Sequence, residues 1–181
     1  SADETYIIVR NCWHYTWFII DSATRAICGY NLSTNRDAQS ALALLYDCYG
    51  QPEQNSKKPM LITDGNPAYD TAVMAFNAEA ENKLEKHTVI GLENLDSESS
   101  EYRSFKQFVE RLNRTYKFHT RPRAGFKSFE GAVALTTLFV AYYNFMRPHS
   151  AIRNSAPVPL DCLKDVTLMP QAWVKFLGQA A

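Results

Sequence analysis

The sequence predicts an α/β domain built on a mixed sheet, and three observations carry that expectation. Three β-forming runs with turns between them open the chain. An apolar strand at Pro59–Thr63 is then bracketed by two helical segments. The composition, 46 % hydrophobic and 21 % charged over 181 residues, suits one domain with a full-sized core. Disordered and fibrous classes are excluded by the same figures.

Taken in order, the stretch Ala2–Leu32 reads as strands. Thr5, Tyr6, Ile7, Ile8 and Val9 are β-formers, Asn11-Cys12 is a turn, and Trp13–Ile20 is aromatic and β-branched. Asp21-Ser22-Ala23-Thr24 is a second turn and Arg25–Leu32 a third strand, completing an antiparallel meander. Trp13 and Trp17 share one strand face and are expected in the core. Ala38, Leu42, Leu45 and Tyr49 then recur at i, i+4, i+7 and i+11, a helix that Gly50 stops. A polar loop, Gln51–Lys58, leads to the strand at Pro59–Thr63, with Asp64 at its carboxyl end. Asn66-Pro67 starts the next helix, an N-cap residue followed by proline at the first helical position. His87–Leu92 supplies one more strand and Glu93–Glu101 an exposed loop. Two helices follow at Tyr102–Phe118 and Ser128–Phe145. The tail Arg147–Leu160, interrupted by Pro148, Pro157 and Pro159, is irregular. Residues 1–160 are expected to form the core domain and 161–181 a helical extension of it.

Several classes drop out. The longest apolar stretch, Ala132–Met146, is broken by Thr136, Thr137 and Asn144 and is too short to span a bilayer. No charged-then-apolar leader opens the chain. Cys12, Cys28, Cys48 and Cys162 are widely spaced, so they read as reduced cytosolic thiols without disulfide or zinc roles. His14, His87 and His119 show no ligand spacing.

The net charge of +0, from 19 basic and 19 acidic residues, argues at first against a nucleic-acid partner. Its distribution reverses that. Glu79–Glu101 holds seven acids and two lysines, a net −5, whereas Arg103–Lys127 holds eight bases and one acid, a net +7. On a helix Phe105, Phe108, Val109, Leu112 and Tyr116 share one face. Arg103, Lys106, Glu110, Arg114 and Lys117 share the opposite one. Glu110 in that row is either a surface acid paired at i±4 spacing or a metal ligand among phosphate-binding bases. Asp64, at the end of a buried strand, is either a turn former or a residue of a sheet-end site. Asp3, on the first strand, is either a frayed-end residue or a third acid. Asp21 competes with it but sits among ordinary turn chemistry.

Five stretches carry a resemblance. Asp3-Glu4-Thr5-Tyr6, Thr63-Asp64-Gly65-Asn66-Pro67-Ala68-Tyr69, Glu110 with its trailing bases, Gly125-Phe126-Lys127-Ser128-Phe129 and Tyr143-Asn144-Phe145-Met146-Arg147-Pro148-His149 occur in this order. Together they resemble the catalytic core of a DDE transposase, of the insertion-sequence type related to retroviral integrases, from Asp3 to about Leu160.

That resemblance implies a ribonuclease-H-like fold, an α/β mixed five-stranded sheet flanked by helices. It implies a triad of Asp3, Asp64 and Glu110 holding two Mg²⁺ ions, with Mn²⁺ able to substitute. Asp3 would bridge the ions while Asp64 and Glu110 hold one each. The chemistry implied is strand cleavage by water and strand transfer by the freed 3′ hydroxyl, without a covalent enzyme intermediate. Arg114 and Lys117 would contact the element's end, Arg123 and Lys127 would extend the DNA track, and Arg147 and His149 would clamp the last helix. The partners implied are element-end and target DNA, in a homodimer or larger assembly, in a prokaryotic cytoplasm at the nucleoid and away from membranes.

Two departures accompany it. Between Asp64 and Glu110 lie 45 residues, where the family has mid-thirties, so Glu98 or Glu101 fits the interval better. Glu110 is preferred because it has an apolar anchor on its helix, which places an insertion within Asn77–Glu101. No helix-turn-helix or zinc-binding module precedes Asp3, so the chain is expected to be an excised core with Ser1 as a scar. The alternative functions are a catalytically silent DNA- or protein-binding derivative and a ribonuclease-H-like nuclease.

Overall fold

The computed structural model describes residues 1–50, 59–81, 83–91 and 96–179; the polar loop expected at Gln51–Lys58 lies outside them. β1 (Ala2–Val9), β2 (Cys12–Ile20) and β3 (Ile27–Ser33) form the antiparallel meander, in the order β1-β2-β3. The first turn is Arg10-Asn11 rather than Asn11-Cys12. Both residues have positive φ, 49° and 62°, the handedness that matches the right-handed twist of a two-residue hairpin.

Helix α1 (Ala38–Tyr49) is capped by Asp37, which accepts from the Ser40 amide at 2.9 Å. β4 (Met60–Thr63) pairs in parallel with β5 (Glu85–Thr88), and α2 (Pro67–Glu79) connects them with Asn66 as N-cap. The fifth strand therefore lies upstream of the expected His87–Leu92. Its residues are polar because it is a sheet edge, so hydrophobicity does not mark it. The five strands fall into ladders of three and two rather than one continuous ladder of five. The two sheets meet where Ser1 Oγ donates to the Ile62 carbonyl at 3.3 Å.

α3 runs Ser97–Thr120, starting five residues before the expected Tyr102 and converting much of the expected loop into helix. Asp96 caps it through the Ser99 amide at 2.6 Å and Glu98 lies in its first turn, so the acidic, serine-rich stretch is a helix start. α4 (Phe129–Ala141), capped by Ser128, passes into a π turn at Tyr142–Met146 instead of remaining α-helical to Phe145. That widened turn aims Asn144 at β3, where its side chain bonds both the N–H and C=O of Ile27 at 2.8 and 2.9 Å. His149 packs on the Tyr143 ring at 4.5 Å with Arg147 at 5.5 Å from the same ring. α5 (Met169–Gly178) meets the π turn through Phe145 and Phe176, 5.2 Å apart. No helix among the described residues is long and apolar enough to cross a membrane.

The meander is buried on both faces. Trp17 and Ile19 pack with Leu44, Leu45, Tyr69 and Phe76 of α1 and α2. Phe18 and Ile20, pointing the other way, pack with Val109, Leu112, Tyr116 and Phe139 of α3 and α4. A two-sided strand reads as the continuous apolar run Trp17-Phe18-Ile19-Ile20. Trp13 shares the face of Trp17 but is 57 % exposed, contrary to the expected core position. It lies at the hairpin tip, against the edge of Tyr6. Leu112 is fully buried between α3 and the sheet. Leu112→Ala should lower the unfolding free energy by roughly 2–5 kcal/mol, read as a lower urea midpoint at unchanged slope. A loss below about 1 kcal/mol would contradict this packing.

Candidate functional site

Strand alternation turns Asp3, Thr5, Ile7 and Val9 of β1 toward α3, and Glu4 toward α1 and α2. Asp64 leaves the carboxyl end of β4, directly after the buried Thr63. Its Oδ1 accepts the Asn66 amide at 3.0 Å, closing an Asx turn just before α2. One carboxylate oxygen from each of Asp3, Glu4 and Asp64 lies within 4.8 Å of the other two.

Glu4, absent from the expected triad, is occupied by the fold. It pairs with Arg36 and accepts from Asn66 Nδ2 and from the Tyr69 hydroxyl, both at 3.1 Å, and its side chain is 4 % exposed. Through Asn66, which also bonds Asp64, this acid ties β1 to the loop that presents Asp64. Arg36 approaches Asp64 as well, at 3.9 Å. Asp3 and Asp64 are less engaged. Asp3 accepts one side-chain bond, from Asn113 Nδ2 at 3.1 Å.

Glu110 stands on α3 and lines two adjoining hollows, one with Asp64, Arg103 and Lys106 and one with Asp3, Asn113, Arg114 and Lys117. Arg103 approaches it at 4.0 Å. Glu98 bonds His87 at 3.0 Å, and Glu101 is exposed and outside the lining of both hollows. Because α3 begins at Ser97, part of the long interval before Glu110 is accounted for by extra N-terminal turns of this helix. Asp21 serves its turn, accepting from the Thr24 amide at 2.9 Å and hydroxyl at 2.6 Å.

In the row it shares with the exposed Arg114, Lys106 is only 8 % exposed. Its charge acts on Asp3. Burial is the largest influence there and raises the Asp3 pKa; Lys106 pulls it down, and Glu4 and Asp64 push it up again. The result is a carboxyl raised from 3.8 to about 7. Of the expected DNA contacts, Arg114 and Lys127 are exposed and Lys117 lies 4.2 Å from the Tyr6 ring. Arg123 lies in the 3₁₀ turn after α3.

Oxygen donors converging in a half-buried site are what a hard divalent cation takes. Two further oxygens fit that reading. Thr5 Oγ1 and Asn113 Oδ1, both buried and both lining the hollow of Asp3, have no hydrogen-bond partner among the described residues. Sequence reasoning missed Glu4, Arg36 and Asn113. Asn113 was discoverable, since Lys106, Glu110, Asn113 and Lys117 follow one another at helical spacing.

Comparisons with known proteins bear on the family and the fold. A family model described as a DDE domain matches residues 1–144. A chain of the simian T-cell lymphotropic virus intasome, solved by cryo-electron microscopy in complex with PP2A regulatory subunit B56 gamma, has a similar fold. The TM-score is 0.55 at 15 % identity, over 86 % of this chain and 51 % of that one. The present chain thus spans about half the length of that structure's chain. No curated protein matches the sequence.

Proposed function

Since the chain belongs to the DDE domain family of transposases, we propose that it is a polynucleotidyl transferase core that cuts and joins DNA at insertion-sequence ends. The observation that carries this reading is the convergence of Asp3 and Asp64 at β1 and the end of β4, while Glu110 on α3, outside that close group, lines one hollow with Asp64 and an adjoining one with Asp3. In this reading β3-β2-β1-β4-β5 are the successive strands of one ribonuclease-H-like sheet, and 161–181 extends the domain of residues 1–160.

Asp3, Asp64 and Glu110 would hold two Mg²⁺ ions, or Mn²⁺ in their place. Such ions supply charge stabilisation to the entering and leaving oxygens of an in-line phosphodiester displacement. The rest is done by the chain. Glu4 and Asn66 hold the Asp64 loop, and Asn113 orients Asp3. Lys106 offsets the mutual repulsion of the acids. Arg114 and Lys117, one and two turns beyond Glu110, are placed to bind the phosphates flanking the cut, with Arg123 and Lys127 continuing the track. The acting assembly is a homodimer or larger complex on element-end and target DNA, in the cytoplasm at the nucleoid.

Nicking of supercoiled plasmid is the direct test. Cleavage should appear with Mg²⁺ or Mn²⁺, vanish with EDTA, be lost in Glu110→Gln and persist in Glu101→Gln. Loss in Glu101→Gln with Glu110→Gln active would move the third ligand to Glu101. Cleavage that survives EDTA would overturn the metal site.

A further inference from the structure

Beside the acids lies a hollow that the catalytic reading leaves unused. It is a cavity of about 170 Å³ at the outer edge of β1, walled by Tyr6, Ile8, Trp13 and Phe126 and closed on one side by Lys117 and Arg121. Its wall is fixed by backbone hydrogen bonds. Phe126 N–H donates to the Ile8 carbonyl at 2.7 Å and Arg10 N–H to the Phe126 carbonyl at 2.8 Å, so the segment after α3 lies along β1 as a short added rung. Gly125, at φ 108°, lets that segment approach; a Cβ there would meet Ile8 at 3.2 Å.

Two aromatic rings are left open to solvent in this wall, Trp13 at 57 % and Tyr6 at 52 % exposure. They meet edge to face with centroids 4.8 Å apart, and the Lys117 ammonium lies 4.2 Å from the Tyr6 ring centre. No acidic residue is among those lining the hollow, and Lys117 and Arg121 also line the neighbouring hollow of Asp3 and Glu110. The matching ligand is flat and apolar at one end and anionic at the other. A nucleotide has that form: its base stacks on an aromatic ring and its phosphate meets the cations.

We infer that this hollow binds one unpaired nucleobase of the DNA strand being cut, with Trp13 as the stacking surface and Lys117 and Arg121 on its phosphates. Trp13 stands opposite Ile8, which is five residues from Asp3 along β1, about 17 Å. The captured base therefore lies within about five base steps of the scissile phosphate. Taking a base out of the duplex at the cut would hold the strand in register with the acids and favour melted or distorted ends over intact duplex. The inference rests on the DNA-cutting function proposed above.

The test compares a ten-nucleotide oligothymidylate with a blunt duplex of the same length, both in EDTA. Trp13→Ala should weaken oligothymidylate binding by roughly fivefold or more and affect the duplex much less, while Trp13→Phe retains most of the affinity. Photocrosslinking of a 5-iodouracil-substituted strand should map to Trp13 or Tyr6. Equal affinity of Trp13→Ala and the parent for the single strand, or crosslinks confined to other segments, would overturn the inference. So would a fall in sedimentation coefficient in Trp13→Ala, which would make the hollow a self-association face. If duplex binding and metal-dependent nicking persist in any of these cases, only the base site falls. If the parent protein binds neither DNA, the DNA-cutting function falls with it.

Discussion

Asp64→Asn is expected to lower metal-dependent nicking by two to three orders of magnitude, the loss that accompanies removal of one preorganised stabilising group. The substitution is nearly isosteric. The oxygen that accepts the Asn66 amide is retained, so the turn before α2 and the Glu4–Arg36–Asn66–Tyr69 cluster should stay in place. What goes is the negative charge offered to the cation. Melting temperature within a few degrees of the parent, together with the collapse of nicking, would assign the effect to chemistry. Nicking at a tenth of the parent rate or better would contradict a ligand role for Asp64.

Asp3→Asn should do two opposite things. It should abolish nicking and also stabilise the metal-free fold at alkaline pH. The Asp3 carboxyl is raised to about 7 by burial and by neighbouring Glu4 and Asp64, against the pull of Lys106. A proton held more tightly in the folded state means no penalty below the ordinary value of 3.8. The penalty grows as pH rises from there to about 7 and is complete above it. The full effect is at most about 4 kcal/mol. Thermal melts in EDTA should therefore show Asp3→Asn more stable than the parent at pH 8 by several degrees, with the gap closing below pH 4. Added Mg²⁺ should raise the parent's melting temperature and leave the variant's almost unchanged. A variant less stable than the parent at pH 8 in EDTA would show that the buried charge is not the cost described.

Where the sequence pattern carried local chemistry, it located the structure. The run of β-branched and aromatic residues in Trp13–Ile20 became β2, Asn66-Pro67 became the start of α2, and Ser128 capped α4. Three features were illegible for physical reasons. β5 is polar because an edge strand has no core face to mark it. The start of α3 was hidden because serine and acid residues favour both loops and helix N-termini. Trp13 follows the same alternation as Trp17, but α1 and α2 do not extend over the hairpin tip, and alternation alone cannot report where a helix stops. The acids show the same division. Asp64 was marked by its strand end and Glu110 by the apolar face behind it. Glu4 was passed over because alternation turns it away from Asp3, onto the side where Arg36 and Tyr69 take it up. Lys106 was named in the correct row, yet it is buried where Arg114 of that row is exposed, a difference no single-helix pattern contains.

In the proposed function Asp3 and Asp64, with Glu110 of α3, hold divalent cations. Crystals soaked in Mn²⁺ test it most directly through anomalous scattering. A peak is expected between the Asp3 and Asp64 carboxylates with oxygen contacts, and its loss in Asp64→Asn. Mn²⁺ bound elsewhere on the surface, with no peak between these two acids, would contradict it.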